Sequence, residues 1–501
     1  MAHGAPLDLV LINPSGRRRI YQSLGAELAA IETPVWAGLM AAFVRRRGFS
    51  IAMVDANAEE LGPEETAARV EELKPLLAAI VVYGHQPSAS TQVMPAASLV
   101  CNAIKDRVPA QKVILVGGHV AALPELTLQQ ERADFVAGGE GLYTLVDLLA
   151  ALTARSDDWS KVRSLWYRDA GRPRRTMAAP LLKDLDDEMP GIAWDLFNVN
   201  RYRAHNWHCF GGLERQPYAA LYTTLGCPYT CTFCCIQAPF KEGEKQSGHR
   251  GSANSYRYWS TETVIRQLDL LAEQGVRNIK IADEMFVLNP RHVLGICNGI
   301  IEHRHRFNIW AYARVDTVKD TMLEKLKQAG VSWLAFGIEA ASEHVRADVR
   351  KGYGQEDAAK TIERVRAAGI NVIANYIFGL PEDDLRTMQA TLDLALDLNC
   401  EFANLYCTMA YPGSALYDQA ARSGWKLPDS WSGYSQHAVD MLPLPTRHLS
   451  AAEVIRFRDQ AFHTYFSHPR YLEMVARKFG EETVRHIRAM ASHKLERRES
   501  A

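Results

Sequence analysis

The chain of 501 residues has no long apolar run, no excess of either charge, and no second group of cysteines beside the one it carries. Its longest apolar stretches, LDLVLIN and VILVGG, are far too short to span a bilayer. Lys plus Arg (57) nearly balances Asp plus Glu (58), so there is no broad electrostatic footprint for nucleic acid. The opening MAHGAPLDLVLINP lacks a basic region followed by a long apolar segment. No signal peptide is expected, and the expected location is cytoplasmic. Five of the nine cysteines are scattered, which favours reduced thiols and a metal site over a disulfide framework. The length is too great for one hydrophobic core, so two or three domains are expected.

The first 150 residues alternate between strand and helix patterns. LDLVLIN, SIAMVDAN, LAAIVVYG, KVILVGGH and DFVAGGEG read as strands that are apolar almost throughout. Such strands fit a parallel sheet covered on both faces, hence a doubly wound α/β domain over residues 1–150. Ligands of such sheets bind beyond the carboxyl ends of the strands. The turn-like pieces there are Asn13 to Gly16, Asp55 to Asn57, Tyr83 to Gln86, Gly117 to His119 and Gly138 to Gly141. Residues 151–215 read as a hairpin and a connector. From Tyr218 a second alternation begins: AALYTTL, RNIKIADE, NIWAYARVD, VSWLAFGIEA, NVIANYIFGLP and CEFANLYCT, each but the last followed by a helix pattern. Six such steps predict a partial (β/α)6 barrel over residues 216–413, with function on the loops after its strands. Residues 414–501 read as a helical region, with Trp425 and Trp431 available to cover an opening.

Directly after the first barrel strand comes GCPYTCTFCCI, which puts Cys227, Cys231, Cys234 and Cys235 within nine residues. Thiolates hold iron–sulfur clusters, and three ligands to a [4Fe–4S] cube leave one iron open. Zinc would want four ligands, usually from two separated pairs. Adjacent side chains diverge, so one of Cys234 and Cys235 is expected at the metal and the other is left to pack as a buried thiol.

The spacing of Cys227, Cys231 and Cys234, with Phe233 before the third, resembles that of the radical S-adenosylmethionine superfamily. The resemblance implies Cys234 rather than Cys235 as the third ligand. It also implies S-adenosylmethionine on the open iron and a 5′-deoxyadenosyl radical that takes hydrogen from a small-molecule substrate. An external electron donor of the flavodoxin or ferredoxin type is expected.

Further positions follow from the same resemblance. In KIADEMF, Asp283 and Glu284 stand where the family often has a small-Gly-Glu stretch for the amino group of S-adenosylmethionine. Arg314 and Asp316, in YARVD, end the third strand, and the arginine is a candidate partner for the cosubstrate carboxylate. Glu339 and Ser342, in FGIEAASEHV, resemble a ribose-side run, with Ala341 in place of its glycine, and Lys351 often accompanies that run. FGLPEDD resembles a turn near the adenine, and YPGSALY a run that closes the barrel.

The stretch VILVGGHVAALPE, followed by DFVAGGEG, resembles the cobalamin-binding domain that precedes one large group of these enzymes. Gly117, Gly118 and His119 are the candidate cobalamin contacts, with His85 a second nearby histidine. The Asp-x-His-x-x-Gly signature of many such domains is absent: Asp55-Ala56-Asn57 has no histidine. That leaves open either cobalamin bound without this ligand or a domain that binds nothing.

Three activities compete. The preferred one resembles that of radical dehydratases of the apramycin-pathway type, which deoxygenate aminoglycoside sugars in antibiotic biosynthesis. Asp283, Glu284 and Glu339 would then serve as acid or base and attract a cationic sugar. The alternative is a cobalamin-dependent radical C-methyltransferase, and the third is a sensor without turnover.

Overall fold

The computed structural model describes residues 7–16, 20, 22, 29–84, 86, 88–249 and 253–498. The first sheet contains β1 (Leu9–Asn13), β2 (Ile51–Asp55), β3 (Leu77–Val82), β4 (Val113–Gly117), β5 (Phe135–Ala137), β6 (Leu165–Asp169) and β7 (Arg172–Arg175), in the order β2-β1-β3-β4-β5-β6-β7. Its first five strands are parallel. The hairpin β6–β7 adds two antiparallel strands at the edge, so this sheet continues past residue 150.

Alternate residues of the strands feed separate cores. Leu9, Leu11, Ala79, Val81, Ile114 and Val116 join one cluster; Val10, Ile12, Ile80, Val82, Val113 and Leu115 join the other. Both faces are therefore covered, which is why the strands read as unbroken apolar runs. The strand order reverses between β1 and β3, the switch point at which open α/β sheets form their ligand crevice.

The second sheet contains β8 (Tyr218–Leu221), β11 (Asn278–Ile281), β12 (Asn308–Ala313), β13 (Val331–Glu339), β14 (Asn371–Phe378) and β15 (Phe402–Cys407). All its pairs are parallel and lie in sequential order, giving the expected partial barrel. The run AALYTTL is not one strand. It breaks after Leu221, and β9 (Thr224–Gly226) leaves the barrel to pair antiparallel with β10 (Tyr256–Tyr258). This pair forms the base of the cysteine loop.

The helices Ala451–Ser467, Pro469–Phe479 and Glu481–Ser492 form the C-terminal region. Neither Trp425 nor Trp431 lines the cavity at the barrel opening, though Trp431 packs beside Cys407 and Met409 at the end of β15. Trp431 packs on the first domain, and Trp425 packs with Leu416 and Ala420. Among the described residues no helix is long and apolar enough to cross a membrane.

Candidate active site

Gly226 ends β9 with φ +87, and a Cβ there would lie 2.3 Å from the Ser255 carbonyl oxygen. Glycine thus lets β9 close against β10 just before the cysteines. The Cys227 amide donates to Gln237 Oε1 at 3.0 Å, and the Cys234 amide to the Cys231 carbonyl at 3.2 Å. Thr232 ties the loop to Val349 and Leu416 through its amide and carbonyl. Phe233 wedges between the clusters around Val345 and Leu416.

These contacts aim Cys227, Cys231 and Cys234 into one cavity of about 680 Å³. Cys235 is buried and does not line it. Burial pushes the thiol pKa values of Cys227 and Cys235 up to about 12. At Cys227 a bound metal would offset the cost of the buried thiolate. Among the described residues, the one trio of metal-binding side chains whose ligand atoms all lie within 4.8 Å of one another is elsewhere. The sulfurs of Cys227, Cys231 and Cys234 are not gathered that tightly; three thiolates of one loop facing one cavity are the donor set of a cube with an open iron.

The strand ends surround the cysteines. Arg314 at the end of β12 donates twice to Asp316, at 2.9 and 2.8 Å. Its Nη1 lies 4.0 Å from Cys231 Sγ, and its guanidinium stacks 4.0 Å over Tyr229. Arg314 lines the cavity, whereas Asp316 does not and acts as its clamp. Lys351 and Glu339 form a buried ion pair of 2.9 Å on the cavity wall. Glu339 has φ +62, a strained value for a side-chain-bearing residue. A Cβ at Gly337 would come 2.4 Å from Glu339 Oε1 and 2.8 Å from Lys351 Nζ, so glycine makes room for the pair.

Asp283 and Glu284 part company. Asp283 is fully buried and accepts from Thr223 N at 2.6 Å, Thr223 Oγ1 at 2.5 Å and Thr224 N at 3.1 Å. It satisfies the backbone where the chain leaves β8, and it does not line the cavity. Glu284 does line it. Burial raises its pKa to about 7, with Lys280 opposing and Asp283 reinforcing the shift. Ser342 caps the helix Glu343–Asp348, its Oγ accepting from Val345 N at 3.4 Å, and does not face the cavity.

In the first domain Gly117 meets a packing need, because a Cβ would lie 2.1 Å from Val82 O. His119 is buried, with its amide donating to Ser90 Oγ at 2.8 Å and its ring edge-on to Trp431 at 4.4 Å. Burial pushes its pKa down to about 3. Gly117, Gly118 and His119 line neither the main cavity nor the smaller crevice described next. His85 lies outside the described residues.

That crevice, of about 100 Å³, occupies the β1/β3 switch point. Asn13, Gly16, Asn57, Tyr83 and Gly84 border it, and Trp36 stacks on Tyr83 at 4.4 Å. Ala29, Gln92 and His205 line both spaces, so crevice and cavity adjoin. Sequence reasoning missed a polar group at this junction. Lys280 of β11 reaches Glu32 Oε2 at 3.4 Å and lies 5.0 Å over Trp310. His205 Nε2 lies 3.6 Å from Glu32 Oε1. A lysine inside the buried strand NIKI was the available signal.

Comparison with known proteins agrees with this layout. The model of the B12 binding domain matches residues 21–149, and that of the Radical SAM superfamily matches 221–395. An uncharacterized methyltransferase of Pyrococcus horikoshii is 25% identical over 88% of this chain and 89% of its own. The anaerobic magnesium-protoporphyrin IX monomethyl ester cyclase of Cereibacter sphaeroides is 25% identical over 82% of this chain and 63% of its own. The radical S-adenosylmethionine methyltransferase TsrM of Kitasatospora setae, solved with cobalamin and a [4Fe–4S] cluster, superposes with a TM-score of 0.69. That match covers 98% of this chain and 100% of TsrM at 14% identity, a likeness of fold. The chain therefore carries a B12-binding domain followed by a radical S-adenosylmethionine domain, and with them the sites of a [4Fe–4S] cluster, S-adenosylmethionine and cobalamin.

Proposed function

We propose that the chain is a cobalamin-dependent radical S-adenosylmethionine methyltransferase acting on a small molecule. The observation that carries this reading is the junction of the two spaces: the cysteine-lined cavity adjoins the switch-point crevice through Ala29, Gln92 and His205. A substrate in the cavity would thus lie between cosubstrate and corrinoid. The preference for dehydration of a sugar diol gives way, because the comparisons favour methyl transfer over it. When bound, the cluster would supply the electron that cleaves S-adenosylmethionine to a hydrogen-abstracting radical, and the corrinoid would carry the methyl group.

The chain's own residues bind, orient and exclude water. Cys227, Cys231 and Cys234 would hold the cluster. Glu284 offers a carboxylate for the cosubstrate ammonium, and Arg314, fixed by Asp316, offers Nη1 beside Cys231 for its carboxylate. Glu339 and Lys351 form the next part of that wall. Trp310, Tyr312, Phe402 and Phe462 give the substrate an apolar surround, and Asn375 and Asn404, hydrogen-bonded at 2.9 Å, add a polar stripe. The electron would come from an external flavodoxin- or ferredoxin-type donor.

The test is anaerobic purification from cobalamin-supplied cells, followed by cluster reconstitution and product analysis. The reading expects about one corrinoid per chain and S-adenosylhomocysteine formed alongside 5′-deoxyadenosine. Absence of corrinoid, or 5′-deoxyadenosine alone, overturns methyl transfer. The latter would move attention to a cyclase-like radical reaction, as the second relative suggests.

A further inference from the structure

On the opposite end of the barrel from the cysteines, three side chains converge. His303 Nδ1 lies 2.8 Å and His305 Nε2 lies 2.6 Å from Asp269 Oδ1. All three ligand atoms lie within 4.8 Å of one another. Asp269 projects from the helix Thr261–Glu273, and the histidines follow the helix Pro290–Glu302. The group is open to solvent without being loose: side-chain exposures are 33% for Asp269, 46% for His303 and 14% for His305.

The backbone between the histidines is unusual for this barrel. Three of its helices close on a glycine with positive φ two residues after the last helical one: Gly275 (+77), Gly330 (+90) and Gly369 (+77). The helix Pro290–Glu302 has Arg304 at that position, with φ +58. The turn is the same: the Arg304 amide donates to Ile301 O at 3.0 Å and the His305 amide to Ile300 O at 3.1 Å, a Schellman closure. A side-chain-bearing residue is disfavoured in that conformation. The turn leaves His303 and His305 directed at one carboxylate oxygen, with the two ring centroids 5.8 Å apart and 56° between planes.

Two imidazoles and a carboxylate are a common donor set for a divalent metal of borderline softness. We propose that Asp269, His303 and His305 form a second, surface metal site, filled by zinc with water completing its coordination. The metal would staple the helices Thr261–Glu273 and Pro290–Glu302 at the amino ends of the strands. That is the stabilising face of a barrel, not its catalytic one.

The test uses tag-free, full-length, cluster-loaded protein under anaerobic conditions. It is exposed to a slight excess of Zn2+, desalted, and analysed for zinc by mass spectrometry, beside the variants Asp269→Asn, His303→Ala and His305→Ala. The wild type should retain one zinc per chain more than each variant. Competition with a chromophoric chelator should show at least tenfold weaker binding in each variant. Equal zinc and equal affinity in wild type and variants would overturn the site. Thermal unfolding gives a second readout: a zinc-dependent rise confined to the wild type supports the staple, and the same rise in the variants refutes it.

Discussion

Removing the carboxylate of Glu140 should loosen the cluster loop from a distance. Glu140 follows β5 in the stretch GGEG, and Arg257 lies in β10. Arg257 Nη2 donates to Glu140 Oε1 at 2.7 Å and Nη1 to Oε2 at 3.4 Å, and the side chains are only 12% and 8% exposed. In the β9–β10 pair Arg257 stands opposite Leu225, two residues before Cys227. The first domain thus grips the base of the cysteine loop through one buried ion pair. Breaking such a pair from one side costs about 3–5 kcal/mol, because a charge stays buried without its partner. Here Arg257 keeps Leu182 O at 3.2 Å and the Phe240 ring at 5.2 Å, which favours the lower end. About 3 kcal/mol corresponds to roughly 100-fold in a local opening equilibrium. In Glu140→Leu, amide hydrogen exchange in peptides spanning β9 and β10 should therefore speed by about 100-fold. Adding Arg257→Met removes the stranded charge and should return exchange to within about tenfold of wild type. Acceleration below about threefold in Glu140→Leu, or a double variant no slower than the single, would refute this coupling.

Three further outcomes follow from the site. Cys234→Ala should abolish cluster assembly, whereas Cys235→Ala should keep about four irons per chain, measured by iron and sulfide content; equal loss in both would put Cys235 at the cluster. Glu284 is uncharged below its pKa of about 7 and ionised above it, so its attraction for an ammonium is gained as pH rises. Binding of S-adenosylmethionine by equilibrium dialysis should weaken about tenfold from pH 8 to pH 6 and be weak and flat in Glu284→Gln; a flat wild-type profile would exclude that role. Ser342→Ala should cost about 1 kcal/mol of stability through loss of the helix cap while leaving S-adenosylmethionine affinity unchanged; a large loss of affinity would return Ser342 to the ribose side.

What the sequence disclosed was local. Strands buried on both faces announce themselves as apolar runs, and three closely spaced cysteines directly after a strand point to a cluster through the family resemblance that they carry. The break after Leu221 was hidden because it depends on Asp283, which lies about sixty residues away and takes the hydrogen bonds of Thr223 and Thr224. Gly117 to His119 drew attention as a glycine-rich turn. Yet the crevice forms where the strand order reverses, and strand order is set by pairing between distant segments. Lys280 was visible as a charge in an apolar strand, but its carboxylate partner, Glu32, is 248 residues earlier.

That last pair bears on how the two halves work as one. A charge is costly inside a protein unless it is paired, so Lys280 within the barrel calls for a carboxylate at close range. Glu284 of the barrel attracts Lys280 on the cavity wall, Glu32 of the first domain pairs with it at 3.4 Å, and His205 of the connector meets the Glu32 carboxylate. Three separate stretches of chain thus meet around one buried group on the cavity wall. The connector also contributes Trp207, edge-on to Trp310 at 5.2 Å and to Trp333 at 5.6 Å, which gives the barrel an aromatic floor. A radical that meets water or a stray hydrogen donor is wasted, so the walls must close before chemistry begins. The contacts of the first domain therefore do two jobs: they bring the switch-point crevice beside the cavity, and they supply part of the cavity's wall.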